Sequence, residues 1–145
     1  MSDFTTPFVV DKTPEEVFNA INNVRGWWGE SVDGANDEVG DEFTYRVRDI
    51  HYSKLRVIDL VPNEKIVWLV LDNHMSFVED QTEWVGTSIA FQIVARDDGG
   101  TEVRFAHLGL DSKCECFETC SSAWSSLMQH SLPDLITTGT GQPYS

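Results

Sequence analysis

The chain has 145 residues, 41% of them apolar and 23% charged, which suits one globular unit with a sizeable core. Its formal charge of −14 at pH 7 repels phosphate backbones and anionic lipid surfaces, so neither nucleic acid nor a membrane is an expected partner. No stretch approaches the roughly 20 apolar residues of a membrane span, and Met1-Ser2-Asp3-Phe4 lacks the basic region and apolar run of a signal peptide.

In chain order, Phe4, Thr6, Phe8 and Val10 fall on one face of a first predicted strand. Thr13-Pro14-Glu15-Glu16 reads as a helix start, with Thr13 as cap, Pro14 at the first helical position and Glu16 closing a capping box. Val17, Phe18, Ile21 and Val24 form its inward stripe, and Gly26 is expected to end it. Trp27 and Trp28 are adjacent and cannot share one face of a regular element. One is expected in the core and the other at a rim or cavity mouth. Residues 31–41 read as a polar loop. Phe43, Tyr45 and Val47 alternate with Thr44, Arg46 and Arg48, a half-buried strand with a charged outer face. A second strand over residues 53–61 leads to a turn at Pro62-Asn63-Glu64-Lys65. Residues 66–71 are continuously apolar and predict a central strand. Residues 73–81 are polar apart from Met75, Phe77 and Val78 and carry no clear period. Thr87, Ile89, Phe91 and Ile93 then alternate inward, Asp97-Asp98-Gly99-Gly100 makes a hairpin turn, and Val103, Phe105 and His107 return on one face.

Over residues 116–135, Phe117, Cys120, Trp124, Leu127, Met128, Leu132 and Leu135 recur at helical spacing. Glu118, Ser121, Ser122, Ser125 and Gln129 fill the opposite face, and Gly139 and Gly141 mark the end. About 20 helical residues span roughly 30 Å, and such an apolar stripe needs a large surface opposite it. Pro133 lies inside the helix, where it removes a backbone donor and crowds the preceding turn. A kink or break is expected between Gln129 and Pro133, with Leu132 pushed off helical geometry. The order is therefore strand, short helices, an antiparallel meander and one long helix. That is an α+β pattern in which the helix covers the apolar face of the sheet. With no repeat, low-complexity tract or linker, residues 1–145 are expected to form one domain.

The last third carries a specific likeness. Gly100-Thr101-Glu102-Val103-Arg104-Phe105-Ala106-His107-Leu108-Gly109-Leu110, then Glu115-Cys116-Phe117-Glu118-Thr119-Cys120-Ser121-Ser122-Ala123-Trp124 and Gly139-Thr140-Gly141-Gln142-Pro143, resembles bacterial members of the START-like (SRPBCC) superfamily. The nearest branch is the AHSA type, named for similarity to the C-terminal domain of a eukaryotic activator of a heat-shock chaperone ATPase. The likeness is specific in the last 45 residues and extends more diffusely back through Trp27-Trp28 and Thr13-Pro14 to the first strand. It implies a helix-grip fold, in which a curved antiparallel sheet wraps the long C-terminal helix and often leaves an apolar cavity. The superfamily includes lipid and hormone carriers, polyketide cyclases and cochaperone-like domains, so it implies fold far better than function.

The three cysteines are odd in number and lie between Cys114 and Cys120, which is no disulfide framework. Reduced thiols and a cytoplasmic location are expected. Cys114-x-Cys116-x-x-x-Cys120 lacks the second pair of a zinc site, so neither metal nor cofactor is expected. There is no phosphate-binding loop, nucleophile elbow or dinucleotide fingerprint. His107 shares a face with Val103 and Phe105. It either orients a ligand carbonyl or acts as a general base, or it is a core histidine bonded to backbone or a hydroxyl. Asp72 shares parity with Ile66, Trp68 and Val70. It faces inward if the strand continues, or belongs to a turn if the strand ends first. His51 and Tyr52 sit between the predicted strands, one of them faces inward and either can donate to a ligand, while His74 and His130 read as surface residues. Trp27, Trp28, Tyr45, Trp68, Trp84 and Trp124 come from different elements and line either a cavity or a solid aromatic core. The expected ligand-contact set is Trp28, Tyr45, Trp68, Phe91, Phe105, His107, Trp124 and Met128. The leading reading is non-catalytic binding of a small apolar molecule. The alternatives are a protein-interaction module with a partner such as a chaperone, and a cyclase- or hydrolase-type enzyme using His107.

Overall fold

A computed structural model describes residues 3–144. Met1 and Ser2, in the N-terminal stretch read above, and Ser145 lie outside the described residues. The elements run β1 (Phe4–Val10), α1 (Pro14–Asn22), α2 (Val24–Trp27), β2 (Ser31–Gly34), β3 (Glu42–Val47), β4 (His51–Val61), β5 (Lys65–Met75), β6 (Ser88–Ala95), β7 (Thr101–Leu108), α3 (Phe117–Ser126), a π-helical turn (Leu127–Ser131) and α4 (Leu132–Thr138). The strands form a seven-stranded sheet in the order β1-β7-β6-β5-β4-β3-β2, antiparallel throughout. The helical run from Phe117 to Thr138 packs on its inner face, and the expected α+β helix-grip architecture is present. Among the described residues, no helix is long and apolar enough to cross a membrane.

The inner face is built by strict alternation. Phe8, Val10, Ile66, Trp68, Val70, Ile89, Phe91, Ile93, Val103, Phe105 and His107 are all buried. Registered pairs such as Phe91 with Phe105 and Ile89 with His107 bring these side chains side by side. The capping box is formed: Thr13 Oγ1 accepts from Glu16 N at 3.2 Å, and Thr13 N donates to Glu16 Oε1 at 3.2 Å. The hairpin turn closes with Gly99 at φ 89°.

Several elements differ from the sequence-based expectation. The first helix ends at Asn22 rather than Gly26, and after the Asn23 cap the chain makes one further turn, α2. Gly26 lies inside that turn, where a Cβ would sit 2.7 Å from Asn23 Nδ2 and 3.0 Å from Leu135 Cδ2 of α4. Trp27 and Trp28 are both buried, at 0% and 2% exposure. The single turn of α2 lets them stack on each other, with ring centroids 6.0 Å apart. Residues 31–41 are not all loop, since Ser31–Gly34 is an edge strand paired with β3. Only Val32 is buried in it, so a strand this short offers no period to read.

At Asp72, neither expected alternative holds. The strand continues to Met75, but the β4–β5 register slips between Lys54 and Leu55, leaving Leu71 as an extra residue. This bulge flips the parity. Asp72 turns to solvent, and Asn73 and Met75 turn inward.

The expected disturbance before Pro133 is a π turn rather than a break. Leu132 N–H donates to Leu127 O, a bond spanning five residues. The wider turn makes room for the proline ring, which needs no partner for its missing N–H. Leu132 stays helical at φ −68° and ψ −47°, contrary to expectation. The helix remains continuous and closes on Gly139 at φ 85°. Ile136 joins the buried stripe and Leu135 is only half-buried. The tail then folds back: Tyr144 N donates to Trp28 O at 3.0 Å and Glu30 N to Tyr144 O at 2.9 Å.

Candidate functional site

A cavity of about 250 Å³ lies between the β3–β4 end of the sheet and the first half of the long helix. Tyr45, Val47 and His51 come from the sheet, Thr119, Cys120, Ala123 and Trp124 from α3, and Leu127 from the π turn. Trp28, Ile50, Phe77, Trp84 and Tyr144 complete the lining. Ile50, Phe77 and Tyr144 are 43%, 40% and 36% exposed and form an apolar rim. A larger depression of about 840 Å³ lies on the solvent side of the sheet between Thr5, Pro7, Ala90 and Ala106. It is flanked by the charged side chains of Glu64, Lys65, Glu102 and Arg104, and both hollows open to water on one side.

The cavity wall is aromatic. Trp28 stacks on Tyr45 at 4.0 Å, and Trp84 on Trp124 at 5.9 Å. Trp28 also meets Trp124 at 5.2 Å. His51 stands edge-on to Tyr45 at 5.2 Å and to Trp84 at 4.6 Å. Burial first, and then neighbouring Tyr144, push the Tyr45 phenol well above its usual pKa.

Of the expected contact set, Trp28, Tyr45 and Trp124 line the cavity. Trp68, Phe91, Phe105, His107 and Met128 sit behind its walls. Trp68 stacks on Trp28 at 6.0 Å, and Phe105 supports Trp124 at 4.7 Å. His107 is fully buried with both ring nitrogens engaged. Nδ1 accepts from Trp124 Nε1 at 3.0 Å, and Nε2 meets Thr87 Oγ1 at 2.8 Å. Thr87 spends its hydroxyl hydrogen on Trp84 O at 2.6 Å. Nε2 therefore carries the His107 proton and donates to Thr87. Burial, assisted by His51, draws the His107 pKa from 6.5 to about 3.

Of the pair His51 and Tyr52, His51 is the one that faces the cavity. Tyr52 lies outside against the Arg46 guanidinium, 4.7 Å from its ring centre. His51 Nε2 meets Ser53 Oγ at 2.9 Å. Ser53 Oγ also accepts from Asn73 Nδ2 at 3.1 Å, and Asn73 Oδ1 accepts from Trp84 N at 3.2 Å. Burial, with His74 nearby, lowers the His51 pKa from 6.5 to about 4. The inward turn of Asn73 is invisible in the sequence, because the bulge that causes it leaves no mark in the pattern. Nor does the pattern mark Phe77, Ala123 or Tyr144. These lie in an irregular loop, beside the helix stripe and in the tail, where periodicity is silent.

Cys114, Cys116 and Cys120 are free thiols, the last two buried. Cys120 Sγ lies 3.9 Å from Met75 Sδ. The neighbouring Cys116 thiol, then burial, raises the Cys120 pKa, while the same pairing lowers that of Cys116. Among the described residues, no group of three or more His, Cys, Asp or Glu comes together as a metal site. Thiol titration of the denatured protein is expected to find all three groups free. A single free group, or stoichiometric zinc by elemental analysis, contradicts this.

These features define a class by architecture: a curved antiparallel sheet packed around a long C-terminal helix, the helix-grip fold. No protein-family model and no curated protein sequence matches it. Among solved structures, it is similar to the Aha1 dimer from Colwellia psychrerythraea, at 24% identity over 97% of this chain and 100% of that one, with a TM-score of 0.78. A structural-genomics protein from Staphylococcus saprophyticus shares 19% identity over 99% and 98% of the two chains, with a TM-score of 0.73. DynU16, from the dynemicin biosynthetic locus, shares 14% identity over 99% of this chain and 51% of its own, also at 0.73.

Proposed function

We propose that the chain, acting as one domain, binds a small apolar molecule in the cavity between sheet and helix, without catalysis. The observation that carries this reading is the cavity itself, about 250 Å³ of space with no charged side chain in its lining. A cavity of about 150 Å³ lined by apolar groups holds benzene, and drug-sized ligands start near 300 Å³. One or two rings fit. Trp28, Tyr45 and Trp124, with Trp84, make direct contact in this reading. Trp68, Phe91, Phe105, His107 and Met128 hold the wall in shape. The exposed rim of Ile50, Phe77 and Tyr144 offers an apolar entrance. His107 is not free to act as a base, since both its nitrogens are engaged. The free thiols fit a cytoplasmic setting.

The test is titration with a fluorescent apolar probe, alongside native mass spectrometry of protein purified from cells. About one bound probe per chain, at a site that quenches tryptophan emission, is expected. No binding to the folded protein overturns the reading. The second reading, a protein-interaction module, draws on the exposed apolar rim and on the likeness to Aha1. Recovery of a chaperone in a pull-down, lost on substitution of Ile50 and Phe77 by serine, favours it.

A further inference from the structure

The hydrogen bonds around His51 fix which of its nitrogens carries the proton. Trp84 N–H donates to Asn73 Oδ1 at 3.2 Å, which sets the orientation of the amide, since a flipped Asn73 would face one donor with another. Asn73 Nδ2 then donates to Tyr52 O and to Ser53 Oγ, each at 3.1 Å. Ser53 is 0% exposed, and its only other partner among the described residues is His51 Nε2 at 2.9 Å. If Nε2 carried the hydrogen, the Ser53 hydroxyl hydrogen would be buried with no acceptor. The arrangement that satisfies Asn73, Ser53 and His51 Nε2 together has Ser53 donating to Nε2. The His51 proton is then on Nδ1.

Nδ1–H has no partner among the described residues. Among the described residues, the buried polar atoms sealed off without a partner are Asn22 Oδ1, Trp68 Nε1 and Trp84 Nε1, and His51 Nδ1 is not one of them. It therefore reaches accessible space, on a ring that lines the cavity. His107 makes the contrast. Its proton is on Nε2, both its nitrogens are spent, and it does not reach the cavity. The lining offers no lysine or arginine to a carboxylate or phosphate, and the low His51 pKa leaves the ring neutral at pH 7.

We infer that the occupant is an uncharged one- or two-ring molecule bearing a carbonyl-type oxygen, and that His51 reads that oxygen through Nδ1–H. The inference rests on the cavity-binding reading above and adds to it the polar chemistry of the ligand. Tyr45, whose hydroxyl has no protein partner among the described residues, stands edge-on beside His51 and presents an aromatic surface to the rings.

The test compares 2-acetylnaphthalene with 2-ethylnaphthalene, which have the same rings with and without the acceptor, and adds 2-naphthoate as the anion. The wild type is expected to bind the acetyl compound about 3- to 10-fold more tightly than the ethyl compound, the range of one neutral hydrogen bond. It should bind the naphthoate most weakly. His51→Phe should erase the acetyl preference. Nitrogen NMR of the imidazoles needs no variant. It should find His51 in the Nδ1–H form and His107 in the Nε2–H form, with only His51 shifting when the acetyl compound binds. Equal binding of both naphthalenes by the wild type overturns the role of His51 and leaves cavity binding intact. So does an acetyl preference that survives His51→Phe, or a His51 proton on Nε2. Binding of neither compound overturns cavity binding itself.

Discussion

Trp124→Ala is expected to destabilise the fold by on the order of 3–5 kcal/mol. The indole is 1% exposed and sits where four aromatic contacts meet, from Trp28, Trp84, Phe105 and His107. Truncation enlarges a hollow that already exists beside it, so neighbours cannot collapse to fill the gap. It also removes the N–H donated to His107 Nδ1 at 3.0 Å, leaving a buried acceptor unpaired. A domain of this size has about 5–15 kcal/mol in hand, so much of the variant population should be unfolded or close to it. Trp124→Phe keeps an aromatic ring and loses the donor, and should fall between wild type and alanine. Denaturant unfolding measures both. An alanine variant that melts within a degree or two of wild type contradicts the placement of Trp124 at the centre of the core.

Acidification is expected to destabilise the protein while most carboxylates are still ionised. His51 and His107 have folded pKa values near 4 and 3, against 6.5 in the unfolded chain. Below pH 6.5 the unfolded chain therefore takes up protons that the folded chain refuses. Stability from the two neutral imidazoles is fully present above pH 6.5 and is lost as pH falls toward 4 for His51 and toward 3 for His107. Protonating His107 would also place a hydrogen on Nδ1 against the Trp124 N–H. Each pKa unit corresponds to about 1.4 kcal/mol, so the pair should account for a loss on the order of 3–5 kcal/mol by pH 4.5. Thermal melts at pH 7.5, 6.5, 5.5 and 4.5 test this, and His107→Gln should flatten the slope. A melting temperature that stays constant or rises from pH 7.5 to 5.5 shows that these imidazoles titrate normally.

The helix stripe, the alternating strands and the capping box were legible because each rests on local chemistry or a regular period. Phe117 to Leu132 repeats at helical spacing, Val103, Phe105 and His107 alternate, and Thr13 and Glu16 stand three residues apart. The site was less legible because irregularities build it. One extra residue at Leu71 decides that Asn73, not Asp72, faces inward. One π turn lets the helix carry Pro133 without breaking. The tail places Tyr144 against Trp28 through backbone bonds that no side-chain pattern announces. His107 had the expected inward position, but its partners Thr87 and Trp124 lie far from it in sequence. Only the assembled fold distinguishes a satisfied histidine from an available one, and that distinction separates His107 from His51.

The most direct measurement is titration of a fluorescent apolar probe into wild type and Ala123→Trp. Ala123 borders the cavity, and an indole there fills the space a ligand would take. Cavity binding requires one probe per wild-type chain, at least tenfold weaker binding to the variant, and a melting temperature unchanged or raised, as cavity-filling substitutions give. Equal probe binding by the two proteins, with both folded, contradicts it.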